Sequence, residues 1–505
     1  MKKIIIILGA LVFTVPTITS CESDITSLNV DPKHPDTLPS MNFFTSAQYY
    51  LFEQLNTNSV NRNITRYFTQ QITETTYTDE SNYDMVTRQI NTQHWNFSYR
   101  NILNAIKLGK EKLEEESKIA TNPSSAAAVK NNMWAQMEIV EIYTWANLVD
   151  TYNNVPYTEA MTAEAGGSGV LSPKYDDAKT IYADLIKRLD AAIAKISVGA
   201  EGYQDVSSYK GSMVKWKKLA NSLKLRLGVN LSDVDAALAK STVESAVAGG
   251  VITSNADNWT LTFTPGLFAS PLYQTVNPVG SGRKDFVAAD TLVDFMNESE
   301  DPRRSKYFTL VPKLDNDGNP VKDANGNVIM IYRGGGFGDS NSWSSFSKMA
   351  DDIIKEDAVG DYFDYSEVSF LLAEAAQRGF SVGGTADAFY KQAIQASMDY
   401  WMVTNEQAKA YIDANPYDAA NWKKSIGEQS WVAMYNRGFE AWTFNRRLDF
   451  PKFIAPEGAV TDGVPTSMTY PAPEQSLNKT NWSEAVSKLP GGKDIATAKV
   501  FWDKY

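Results

Sequence analysis

The chain has 505 residues, with 60 acidic against 48 basic side chains and a formal net charge of −12, which disfavours nucleic acid or anionic headgroups as partners of the surface as a whole. His34, His94 and a single cysteine cannot build a site of several imidazole or thiolate ligands, so neither a metal centre of that kind nor a cofactor is expected. Aromatics are plentiful at 12 %, and beyond the first residues no apolar stretch approaches the roughly 20 needed to span a bilayer.

Residues 1–20 read as an export signal: Lys2 and Lys3 form its charged start, Ile4 to Val15 its apolar stretch, and Ile18, Thr19 and Ser20 precede Cys21. This is the pattern of a bacterial lipoprotein leader, in which Cys21 becomes the acylated first residue of the mature chain and two or more acyl chains make the anchoring stable. Residues 21–40 are polar and carry Pro32, Pro35 and Pro39, the composition of a tether, so the folded body is expected to begin near Met41.

The stretch from Trp95 to Lys118 carries Tyr99, Ile102, Leu103, Ile106 and Leu113 at helical spacing, and a second helix is predicted from Ala126 to Tyr152. Ser172-Pro173 is the expected opening of the next, whose stripe is Ile181, Leu185, Leu189, Ile193 and Ile196; its partner runs from Met213 to Val229. Late in the chain Asp364 with Glu367 gives a capping-box-like start, Gly379 a stop, Ala386 to Met402 a returning helix, and Ser430 to Arg447 a last aromatic-rich one. Repeated hairpins of this length predict a mostly α fold with tetratricopeptide-like pairs.

Between residues 251 and 360 the character changes. Thr260 to Phe263 alternates, Asp317-Gly318 and Asn325-Gly326 are hairpin-turn dipeptides, and Val328 to Tyr332 is β-prone, so an insertion of loops and short strands is expected, the kind of segment that carries binding residues.

Asp315 to Asn319 has oxygen ligands at alternate positions, but Pro320 stands where a calcium loop needs glycine, and a hairpin turn is the better reading. Arg333 to Gly338 lacks the Gly-Lys-Ser/Thr of a phosphate loop and is read as a mobile loop. With Phe337, Asn341 and Trp343 it could present aromatic and amide groups to a ligand, or simply tuck its Trp into the scaffold. Tyr77, Tyr83 and Trp95 surround Asp79, Glu80 and Asn82; flat aromatic faces beside carboxylate and amide groups suit a sugar, whose C–H face stacks and whose hydroxyls need partners. Trp95 taken alone reads more readily as a core residue at a helix start, and the tyrosines are the better ligand candidates. Arg283 joins the candidates from its Gly-rich stretch, and Ser-His-Asp chemistry, which would have to use His94, has no nucleophile-elbow pattern to accompany it. Glu440, Arg446 and Arg447 share the last predicted helix and read as a buried ion pair to a neighbour in preference to an anion site.

Several segments together resemble the SusD/RagB-like outer-membrane lipoproteins: Val155-Pro-Tyr157-Thr-Glu159-Ala160, Tyr209 to Leu227 around Trp216 and Asn221, Asp301-Pro-Arg303-Arg304, Tyr365 to Gly379 around Glu367 and Glu374, Glu440-Ala-Trp442 with Arg446-Arg447, and Tyr470 to Asn478. The resemblance implies a mostly helical SusD-like scaffold over 41–505, display at the outer membrane, and a SusC-like TonB-dependent β-barrel transporter as partner. The matching segments are scaffold segments, so no ligand residue transfers through them. The expectation is a non-catalytic binding protein that captures an oligosaccharide or related nutrient through Tyr77, Asp79, Asn82, Tyr83, Trp95, Arg283, Phe337, Asn341 and Trp343. A surface glycoside hydrolase and an assembly or adhesion scaffold are the alternatives.

Overall fold

The first helix, Ser40–Asn56, forms where Phe44, Ala47, Leu51 and Leu55 recur at three- and four-residue steps, and all four are buried. The computed structural model describes residues 38–58, 62–162 and 169–505, so the 1–20 signal, Cys21 and most of the 21–40 tether lie outside the described residues. Residues Ser40–Tyr505 form one contact unit. The first helix packs along Asn104–Glu116, and the approach is close because residue 109 is glycine: a Cβ there would stand 3.0 Å from Met137 Sδ and 3.2 Å from Phe43 Cβ.

The predicted Trp95–Lys118 helix is the later part of a longer run: Ile90–Asn96, a π-helical stretch Phe97–Leu103, then Asn104–Glu116. Ala127–Tyr152 returns beside it. The next helix, Ala178–Lys195, starts later than Ser172-Pro173 suggests, because Asp177 accepts from Thr180 N at 2.9 Å and satisfies one of the free first-turn amides. Pro173 instead offers its carbonyl to Asn478 Nδ2 at 2.7 Å, which ties the chain end to this region. Met213–Asn230 follows and pairs with Ala236–Gly249, a helix the sequence reading missed.

Tyr365–Gln377 and Ala386–Tyr400 form the later hairpin, with Asp364 Oδ1 accepting from Glu367 N at 2.6 Å and Gly379 at φ 81° ending the first helix. The predicted Ser430–Arg447 helix is in fact two, Trp422–Ala433 and Gly438–Leu448. Tertiary contacts break it: Asn436 at φ 67° takes Arg66 Nη2 on its carbonyl at 2.8 Å and gives its N–H to Gln71 Oε1 at 3.1 Å. Gly438 fits beside them only without a side chain, since its Cβ would stand 2.5 Å from Thr65 Oγ1.

Buried charges cross-link the helices. Arg226 of Met213–Asn230 reaches Glu367 at 2.6 Å and Glu440 at 3.7 Å, Arg437 holds Glu367 at 2.5 Å and Asp364 at 3.1 Å, and Arg447 holds Glu374 at 2.9 Å. Glu440 and Arg447 therefore pair with neighbouring elements, while Arg446 makes no ion pair among the described residues and lies against the rings of Trp442 and Trp502, 3.6 and 4.8 Å from their centroids. Such pairs add little net stability over apolar packing, but losing one partner strands the other charge in the interior.

The insertion is pinned at its ends. Trp259–Thr262 pairs antiparallel with Val359–Phe363, and Trp259 packs edge-on against Phe52 and Trp216 at 4.8 and 5.9 Å. Ile72–Glu74 pairs antiparallel with Phe286–Ala288, which carries the chain near Tyr77 to the insertion. Val311–Pro312 and Met330–Ile331 form a small ribbon. In its outer turns Asp315 Oδ1 accepts from Asp317 N and Asn319 N, and Asp323 Oδ1 from Asn325 N and Asn327 N, so both carboxylates serve as turn-makers.

Candidate functional site

Strand Ile72–Glu74 ends where Thr75 N donates to Asp285 O at 2.8 Å and Thr75 Oγ1 to Lys284 O at 2.9 Å. Two residues on, Tyr77 turns to φ 59° and leaves its ring 64 % exposed, in a conformation a bulky side chain adopts only when its surroundings fix it. The ring stands at the mouth of a cleft of about 470 Å³, whose walls include Asn58, Glu74, Arg88, Arg283 and Phe286. Arg88 and Arg283 place their guanidinium carbons 5.9 and 5.8 Å from the Tyr77 centroid, so the ring is held between two cations.

Acidic groups lie on the cleft wall and behind it. Arg88 donates to both oxygens of Glu80 at 3.0 and 3.1 Å and to Asp79 Oδ2 at 2.6 Å, and Arg283 pairs with Asp285. Glu74 accepts from Ser81 N at 3.2 Å and Ser81 Oγ at 3.0 Å. Burial pushes the Glu80 carboxyl up to about 9, the nearby Glu74 carboxylate adds to the rise, and Arg88 offsets only part of it. Burial also raises Glu74. To a polar ligand the cleft itself offers the guanidinium donors of Arg88 and Arg283 and the carboxylate acceptor of Asp285.

The structure divides the sequence candidates. Tyr77 and Arg283 line the cleft, and Asp79 sits at its edge on Arg88. Tyr83 is fully buried, 6.0 Å from Phe68 and hydrogen-bonded by Gln70 Nε2 at 2.9 Å, so its ring belongs to the core and no ligand can stack on it. Trp95 is likewise interior, 5.0 Å from both Tyr99 and Tyr152. The core alternative for that residue holds.

Asn341 is buried and spends its amide on Glu74 O, Gly336 O and Asp339 O. Asn82 braces the same crossing through Thr78 O at 2.8 Å and Gly338 O at 2.9 Å. Phe337 is half-buried 5.8 Å from Tyr83. Trp343 is half-exposed, with the Lys284 and Lys348 ammonium groups 4.6 and 4.7 Å from its ring centroid.

Residues 333–338 are not the mobile loop the glycines suggest. Gly335 N donates to Ala288 O and Asp290 N to Gly335 O, both at 2.9 Å, and a Cβ on Gly334 would lie 2.3 Å from Asp290 Cα. These glycines permit backbone to pass backbone. Missed in the sequence were Glu74, Arg88, Asp285 and Phe286; Arg88 lies eight positions beyond Glu80, a spacing that carries no signal until the Thr78–Asp84 turns bring the two together.

His94 lies in the interior, its ring nitrogens 3.1 Å from Tyr152 OH and Asn147 Oδ1, and burial pushes it down to about 4. Neither nitrogen faces a serine hydroxyl. The groups that the sequence resemblance rested on are structural: Asp301 and Arg303, both fully buried, pair at 2.6 Å, Tyr157 OH donates to Asp184 Oδ2 at 2.6 Å, and Tyr175 OH donates to Glu474 Oε2 at 2.6 Å.

A helical scaffold that holds a polar, aromatic-edged cleft at its irregular face is the architecture of a binding protein, and residues 32–471 match the SusD-like family model described as starch-binding, associating with the outer membrane. The chain belongs to that SusD-like family. Among solved structures it is similar to a chitin-binding protein, at 27 % identity and TM-score 0.78 over 92 % of this chain and 100 % of that one. A chitin-binding SusD homologue from Flavobacterium johnsoniae aligns at 24 % identity and TM-score 0.71 over 92 % of this chain and 97 % of its own, and a SusD-like protein from Bacteroides thetaiotaomicron at 22 % and 0.75 over 92 % and 99 %. The latter two likenesses bear on the fold alone. No curated protein matches the chain. Among the described residues no helix is long and apolar enough to cross a membrane.

Proposed function

We propose that this protein is a lipid-anchored receptor at the cell surface which captures an oligosaccharide at the Tyr77 cleft and passes it to a SusC-like TonB-dependent β-barrel transporter without chemical change. The observation that carries the reading is Tyr77: an exposed ring, set in a left-handed backbone conformation, at the mouth of a cleft lined by Glu74, Arg88, Arg283 and Asp285. A sugar would lay its C–H face on that ring and exchange hydrogen bonds with the polar floor. Family membership and the chitin-binding proteins of similar fold support a glycan ligand, and make chitooligosaccharides the first to test. The engaged ring nitrogens of His94 support a non-catalytic role.

Calorimetric titration of purified protein against a panel of oligosaccharides tests the reading. Saturable binding that Tyr77→Ala weakens is expected; turnover products at low protein concentration would instead establish a hydrolase. Extraction of membranes should co-purify a large β-barrel protein, and its consistent absence would argue for an assembly scaffold. Cys21→Ala should release the protein from the membrane fraction; retained attachment with incorporated radiolabelled lipid would refute the anchor.

A further inference from the structure

The face beside the cleft carries positive charge that no carboxylate among the described residues matches with an ion pair. Lys284 and Lys348 lie on the Trp343 ring, and among the described residues Lys348 Nζ donates only to carbonyls, Phe346 O at 2.9 Å and Trp343 O at 3.4 Å. Arg333 stacks on Phe346 at 5.1 Å and gives its guanidinium to Ser345 O at 2.6 and 3.1 Å. Among the described residues these three cations make no ion pair, in a chain whose net charge is −12, whereas Arg88 and Arg283 next door are each neutralised by carboxylates. Burial without a counter-charge also holds the Lys348 ammonium below its ordinary value. An anion placed there would relieve that cost.

The loop they surround is rich in hydroxyls. Ser342 Oγ lies 3.1 Å from Ser344 Oγ and accepts from Ser345 Oγ at 3.0 Å. It joins the cleft directly, since Asn341 N donates to Thr75 O at 3.2 Å and Thr75 Oγ1 to Lys284 O at 2.9 Å. Resting on the oligosaccharide reading of this face, we propose that the ligand is an anionic oligosaccharide, whose carboxylate or sulfate groups meet Lys284 and Lys348 at the Ser342–Lys348 loop while a neighbouring ring occupies the Tyr77 cleft. Trp343 then acts as the platform that spaces the two ammonium groups.

The test compares three probes of equal length with purified protein at low and at high salt: an oligogalacturonide for carboxylate, a sulfated chondroitin oligosaccharide for sulfate ester, and a chitooligosaccharide as the neutral control. At least one anionic probe should bind about ten-fold or more tighter than the neutral one at low salt and lose that advantage at high salt, where exposed charges are screened. The arm that binds identifies the anionic group. Lys284→Met, at an exposed side chain, should cut anionic affinity about five-fold with the neutral probe and the melting temperature unchanged; adding Lys348→Met should cut it further. Neutral binding equal to anionic, sensitive to Tyr77→Ala but not to Lys284→Met, would overturn this inference and leave the receptor reading standing. Binding of no probe under any salt condition would count against both.

Discussion

The Arg226–Glu367–Arg437 cluster of the helical scaffold and the Arg88–Asp79–Glu80 cluster of the cleft are built from the same chemical groups, yet the side chains of the first are 11 %, 1 % and 5 % exposed and those of the second 23 %, 41 % and 0 %. In the scaffold Glu367 is matched by Arg226 and Arg437, both from outside its own helix, so these charges fix how the elements dock. At the cleft Arg88 serves two carboxylates from one turn, and burial together with the charge of Glu74 raises Glu80. Sealed charge positions elements; charge left on a wall can meet a ligand.

The largest effects should come from the scaffold. Glu374→Ala strands the buried Arg447 and leaves Arg378 with Asp233 alone, and should cost about 3–5 kcal/mol in urea unfolding. Trp95→Ala should cost a similar ~3–5 kcal/mol through the cavity it leaves. A loss under 1 kcal/mol in either would mean that these groups are not interior. Tyr77→Ala should do the reverse, costing about 1–3 kcal/mol of oligosaccharide affinity, the worth of a large ring buried against a ligand, with the melting temperature unchanged. Trp343→Ala should weaken binding within that same range, and unchanged calorimetric affinity would remove it from the site.

The two regions should also titrate with opposite sign. Glu80 keeps its proton to about 9 in the folded chain, far above its value in an unfolded one, so the folded state holds the extra proton. Its contribution is complete below about 4.5 and is lost as pH rises toward 9. His94, pushed down to about 4, binds its proton less readily when folded, so its contribution is present above about 6.5 and is lost as pH falls through 4. Urea midpoints across pH should show the alkaline loss diminished in Glu80→Gln and the acid loss diminished in His94→Gln; unaltered profiles would remove these groups as the source. The smallest change belongs to the exposed Lys391–Asp387 pair at 2.8 Å, where Lys391→Ala should shift stability by only about 0.3–0.5 kcal/mol.

Much of the frame was legible because helical periodicity is local. Ala127–Tyr152, Met213–Asn230 and the Asp364-capped helix stand within a residue or two of where their apolar stripes and caps place them. The break at Asn436 was not legible, since it answers to Arg66 and Gln71, some 370 and 365 positions away. Tyr83 and Tyr77 show the same limit at the site: six residues apart in one polar segment, they look alike in sequence, but the Thr78–Asp84 turns send one into the core and leave the other on the surface.

What the sequence determined by itself was whatever a short window encodes: the helical hairpins, the irregular insertion, and the order of segments that marks the family. Which of the aromatics faces solvent, which arginine meets which carboxylate, and that a glycine run is a packed crossing were decided only in three dimensions. Those outcomes depend on strand pairing between Ile72–Glu74 and Phe286–Ala288 and on the closure of long loops, contacts whose partners no local pattern specifies.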